Sequence, residues 1–182
     1  MKGKKRIRFA NNPAKFIEKA IVQFVQKSPA NRRKEGRGKY WDRPLVGLAS
    51  GDDPLFKAYK KIIGKFHFTP QEIFSLTFGK KKKPQSLSVI SWILPHVEEI
   101  RKSNRKENRY PSRLWAHARD FGEQFNVKLR KHIESLLKKK GYQAVAPMIS
   151  PHWKRVRSPR VGLASSWSER HTAYACGLGT FG

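Results

Sequence analysis

Residues 44–56 read PLVGLASGDDPLF, and how that run folds decides what kind of domain surrounds it. The apolar stretch from Leu45 to Ala49 predicts a short buried strand, and Gly51-Asp52-Asp53-Pro54 predicts the turn that leads into a helix carrying Leu55, Phe56, Tyr59 and Ile63. A strand passing through a tight polar turn into a helix is where α/β folds place their ligands. The same Gly-Asp-Asp reads equally as a plain turn with a helix cap.

Working outward toward the C-terminus, Thr69 to Glu72 (TPQE) has capping-box spacing with Pro70 at the first helical position, and opens a helix through Ile73, Phe74 and Phe78. LSVISWIL at 87–94 is β-branched, aromatic and bounded by Pro84 and Pro95. It predicts a strand near the middle of a sheet. Pro111-Ser112 starts a long helix over 113–140, with Leu114, Trp115, Ala118, Phe121, Phe125, Leu129, Ile133, Leu136 and Leu137 as its apolar stripe and three lysines in its last turn. Residues 142–148 (YQAVAPM) predict another strand and 160–166 (RVGLASS) a short extended piece. Ser166 and Glu169 have capping-box spacing for a last helix that Gly177 ends.

Toward the N-terminus, Asn12-Pro13 predicts a helix start, followed by Phe16, Ile17, Ala20, Ile21, Phe24 and Val25 on one face. A polar stretch, 28–42, predicts a mobile linker. The fold class expected is α/β or α+β, helices packed on a small mixed sheet, with 1–40 as a basic helix and linker and 41–182 as the main body.

Forty Lys and Arg against thirteen Asp and Glu leave a net charge of +27. Thirteen basic against two acidic residues fall in 1–40, and most of the remaining surplus sits in clusters at 80–83, 101–109, 138–140 and 154–160. Such a field draws polyanions, so RNA, DNA, an acidic partner or an anionic cofactor are all admissible, while each cluster taken singly reads as a solvated loop or helix end. Cys176 is the single cysteine, which excludes an internal disulfide, a CxxC pair and a cluster ligated by this chain alone. The basic N-terminus lacks the apolar run of a secretion signal, and no window reaches membrane-spanning length, so no membrane is expected and the cytoplasm is the default compartment.

No Walker sequence follows either glycine-rich stretch, and the six histidines show no HxH or HExxH spacing. Asp120 is the candidate acid. It lies in the long helix one residue before Phe121 of the stripe, where a carboxyl at an apolar edge can hold its proton near neutrality. It reads also as a surface partner of Arg113 or Arg119.

Four segments together resemble one family: PLVGLASGDDPLF, LSVISWILP, PSRLWAHARDFGEQFNVKLRKHIESLLKKKGYQAVAP and VGLASSWSERHTAYACGLGTFG. They are similar to the N-terminal half of the epoxyqueuosine reductase-like iron–sulfur proteins, relatives of the corrinoid reductive dehalogenases. The last segment is the most specific, with Glu169, Arg170, Tyr174, Gly177, Leu178 and Gly179 on an ER-x-AAY-x-A-GLG pattern. The resemblance implies a partial cobalamin-binding domain similar to a nitroreductase core, with Gly177, Leu178 and Gly179 lining the cofactor. WAHARDFG lies over the family's YA-x-G-x-DYH, so it also implies Asp120 as proton donor. The tyrosine and histidine after that aspartate are Phe121 and Gly122 here, which leaves the substrate open between the epoxide of epoxyqueuosine-tRNA and something else. In the family a ferredoxin-like domain with two 4Fe-4S clusters follows. This chain stops before it, so the resemblance implies an amino-terminal part of an oxidoreductase, without turnover alone, that depends on a separate iron–sulfur polypeptide. A small basic nucleic-acid-binding protein is the alternative, on the strength of Arg and Lys clusters interleaved with Tyr40, Trp41, Tyr110 and Trp153.

Overall fold

A computed structural model describes residues 12–33, 37–79 and 84–181. The basic residues before 12 and the lysine run 80–83 lie outside the described residues, so nothing is placed for those two clusters. The described chain is a mixed α and β structure, 50% helical, with two small antiparallel two-stranded sheets. It divides into two compact units, one of residues 1–45 and 94–144, the other of 46–93 and 145–182.

In the first unit, helix α1 (Pro13–Lys27) starts as its sequence predicts, the Asn12 side chain accepting from the Lys15 N–H at 3.0 Å, and buries Ile17, Ile21 and Val25. In the stretch expected as a mobile linker, the described residues 28–33 and 37–42 are joined through Asn31. Asn31, 1% exposed, donates from Nδ2 to the carbonyls of Val25 (2.9 Å) and Trp41 (3.1 Å), while its Oδ1 accepts from the Trp41 N–H (2.9 Å). Those bonds satisfy the backbone at both ends of the loop, and Tyr40 and Trp41 are buried beside it. Helix α4 (Glu98–Arg105) was absent from the sequence expectation, since Ile100 is its one buried residue and gives no apolar period. Its end charges, Glu98 and Glu99 first and Lys102 and Arg105 last, suit the helix dipole. Helix α5 (Arg113–Lys139) is capped by Ser112, whose Oγ accepts from the Trp115 N–H at 3.2 Å, and buries Ala118, Phe125, Leu129 and Ile133. The ring of Trp41 stacks on Phe125 with centroids 4.6 Å apart.

In the second unit, strand β1 (Leu45–Ser50) pairs with β2 (Ser88–Ile93) alone. The strand expected at mid-sheet thus belongs to a two-stranded sheet. Its burial alternates, with Val89 and Ser91 inward, as an element covered on one face must. Leu45 and Leu48 are likewise exposed on β1, which is half covered and not buried as predicted. Helix α2 (Pro54–Ile62) is capped by Asp53 and α3 (Pro70–Phe78) by the predicted capping box, the Thr69 N–H donating to Glu72 Oε2 at 2.8 Å. Residues 142–148 form no strand; Pro147 has no N–H to give a ladder and opens a single 3-10 turn, Pro147–Ile149. Strands β3 (Arg155–Ser158) and β4 (Gly162–Ser165) then make an antiparallel hairpin, and α6 (Glu169–Ala175) follows. Phe56, Tyr59, Ile63, Ile73, Val89, Trp167 and Cys176 form the core of this unit.

Candidate functional site

The segment that carries the most specific resemblance lies in the second unit. The cap of α6 is Ser168, not the predicted Ser166: its Oγ accepts from the His171 N–H at 3.4 Å and lies 2.8 Å from His171 Nδ1. The Ser168 N–H is spent in the other direction, donating to His67 Nε2 at 3.0 Å. His67 is 1% exposed and lies parallel to Trp167, with centroids 6.1 Å apart, and Trp167 in turn lies parallel to Phe56. Because Nε2 accepts, the neutral ring carries its proton on Nδ1, which has no hydrogen-bond partner among the described residues. Burial, then the neighbouring His171, push the His67 pKa down to about 4. The Tyr59 hydroxyl donates to the His171 carbonyl at 2.9 Å and is pushed up to about 12, first by burial and then by Asp53.

At its other end α6 closes in a Schellman turn. The Leu178 N–H donates to the Ala173 carbonyl at 3.0 Å and the Gly177 N–H to the Tyr174 carbonyl at 2.9 Å, with Gly177 at φ +70°. Leu178 packs on the core, and Cys176, whose thiol burial pushes up to about 11, points Sγ toward the Val89 carbonyl at 3.8 Å. Gly47 of β1 lets this turn come close: a Cβ there would lie 2.9 Å from Leu178 Cγ and 3.0 Å from Cys176 Cβ. Gly177 and Gly179 (φ +151°) are different. A Cβ on either would meet no atom of the described residues within 4 Å, its chain neighbours aside, so the turn is open at both positions. Beside it stand Tyr174 and Phe181, both more than 40% exposed, with rings 5.4 Å apart and the Arg170 guanidinium 5.4 Å from the Phe181 centroid.

A flat macrocycle fits such a turn, because the two glycines on either side of the inward-packed Leu178 carry no side chain and leave room for van der Waals approach. Among the described residues no group of His, Cys, Asp and Glu could hold a metal ion. A four-iron cluster does not fit this chain, which has a single, buried cysteine where such a cluster needs several thiolates.

Asp120 belongs to the first unit. It is exposed on α5, and the burial that the sequence expectation invoked is not found there. Gly122, two residues on, faces Trp41, whose Cζ2 would be 3.6 Å from a Cβ. The Gly51-Asp52-Asp53 turn takes its plainer reading. Asp53 caps α2, accepting from the Leu55 N–H at 2.9 Å, and the Gln71 amide clasps the Gly51 carbonyl and the Asp52 carboxylate. Sequence reasoning missed His67 and Ser168 as a pair, since they lie 101 residues apart. It also read 154–160 as charge alone, although the Arg-x-Arg alternation of Arg155 and Arg157 was a strand signal. No family model, curated protein or solved structure was found to match the chain.

Proposed function

We propose that the chain is the amino-terminal part of a cobalamin-dependent, iron–sulfur-linked reductase resembling epoxyqueuosine reductase, built on a nitroreductase-like cobalamin domain. One observation carries the reading: the Gly177–Leu178–Gly179 turn is held from behind by Gly47 and the core, while its own backbone is open in front. Gly177 and Gly179 receive the ring on bare backbone, and Leu178 anchors the turn from within. When bound, the corrinoid supplies the reducing electrons that remove an epoxide oxygen. The same resemblance would make Asp120, exposed on α5, the proton donor to the leaving oxygen. The clusters are supplied by another polypeptide segment, because this chain has no thiolate set of its own.

The test is equilibrium dialysis against hydroxocobalamin, with Gly179→Val beside the native chain. Retention by the native chain and a tenfold or greater loss in the variant, with unchanged far-ultraviolet circular dichroism, is expected. Equal retention would remove the turn from the site.

A second reading, a small basic nucleic-acid-binding protein, is favoured by a different observation: the arginines that strand β3 turns to solvent.

A further inference from the structure

The β3–β4 hairpin has two unlike faces. Its register pairs Arg155 with Ser165, Val156 with Ala164, Arg157 with Leu163 and Ser158 with Gly162. Side chains alternate along a strand, so Val156, Ser158 and Ala164 share one face and Arg155, Arg157 and Leu163 the other. The first face is the inner one: Ser158 is 4% exposed and donates from Oγ to the Ile63 carbonyl at 3.1 Å, and Ala164 packs on the core. The second is left to solvent, with both arginines exposed and Leu163 70% exposed. The Arg160 guanidinium bonds the Lys61 carbonyl and ties down the hairpin's tip. The outer face is therefore held in place before anything binds.

Its charge has no internal answer. Lys154, Arg155, Arg157 and Arg160 fall within seven residues, and no Asp or Glu occurs between Glu134 and Glu169. Among the described residues neither Arg155 nor Arg157 enters an ion pair. We infer that the outer face of this hairpin, Arg155, Arg157 and Leu163, is an RNA-binding surface that grips the phosphate backbone at a single-stranded loop. The inference rests on the nucleic-acid reading above and not on the corrinoid.

Three features choose RNA. Residues two apart on a strand are about 6.6 Å apart, a separation comparable with neighbouring phosphates along one strand, and the guanidinium fork matches phosphate oxygens in pairs. Leu163 and Val161, 70% and 48% exposed, lie beside these charges. Apolar surface next to arginine covers an unstacked base or ribose, which a carboxylate-rich peptide does not offer. Unstacked bases occur in RNA loops and not along a regular duplex. At the hairpin's tip, beside this face, a shallow concavity of about 650 Å³ lined by Arg157 and Leu163 together with Ser158, Pro159 and Gly162 leaves room for such a base.

The experiment is fluorescence anisotropy with a labelled RNA stem–loop, across a salt series. The native chain should bind with a steep negative salt slope. The double variant Arg155→Gln/Arg157→Gln should weaken binding at least tenfold and reduce that slope by about 1.4, the value for two lost contacts to a single strand. Leu163→Ala should weaken binding without changing the slope, and Arg155→Lys/Arg157→Lys should keep the slope while losing part of the affinity. RNA binding left intact by the double glutamine variant, with circular dichroism unchanged, would overturn the hairpin while leaving the nucleic-acid reading standing; no RNA binding by the native chain would overturn both. Duplex DNA or polyglutamate competing as well as the RNA would overturn the choice of partner.

Discussion

His67 shows how one side chain ties pH to stability. Its Nε2 accepts the Ser168 N–H, so a second proton on the ring would set donor against donor at 3.0 Å. The folded pKa, near 4, lies below the ordinary value of 6.5, so the unfolded chain binds the extra proton more readily throughout the interval between them. Stability is therefore full above pH 6.5 and falls as pH drops toward 4, by up to about 3 kcal/mol from this residue. His171 and His96, whose pKa values burial also lowers, act in the same sense. Urea unfolding at pH 7 and pH 4.5 checks this: the native chain should lose stability across the interval and His67→Gln should lose distinctly less. An equal loss in both would assign the pH dependence to other groups. Nothing in the sequence around FHFTP marks His67 as different from the other five histidines, because its partner lies a hundred residues away.

Helices with sharp ends were legible as elements. Asn12-Pro13, Asp53-Pro54, Thr69-Pro70 and Ser112 all cap where local chemistry predicts, since a cap is decided within four residues. Helix α4 was hidden by having one buried side chain, and 142–148 misled because an apolar run containing Pro147 resembles a strand until its hydrogen bonds are asked for. For β2 the strand was legible and its neighbours were not, as pairing depends on contacts that a local pattern does not contain. The meeting of β1 with α6 was equally invisible, and it yields a prediction at this scale. Gly47→Ala would force a Cβ against Cys176 and Leu178, so it should destabilise the fold by about 2 kcal/mol. Gly177→Ala meets only the cost of its positive φ, about 1 kcal/mol. Thermal unfolding of the two variants should keep that order, and the reverse would mean that β1 and the turn do not touch.

On the scale of the whole molecule, the charge was fully legible and its disposition only partly so. The surplus of +27 is read directly from the composition; that two of its arginines share a solvent face of a hairpin depended on a register fixed by Gly162 and the turn. The two units each draw on separated stretches of chain, which no reading by segments reveals. Within the second unit, residues from three separated stretches of the chain meet in one core: Phe56, Val89, and Trp167 with Cys176. That core presents Gly177 and Gly179 with their backbone open. The central claim is that this turn receives a corrinoid, and it is tested most directly by titrating the purified chain with hydroxocobalamin while following the visible spectrum. A saturable change ending at one equivalent is the predicted result. A spectrum that stays the sum of free cofactor and protein, at every ratio, would contradict it.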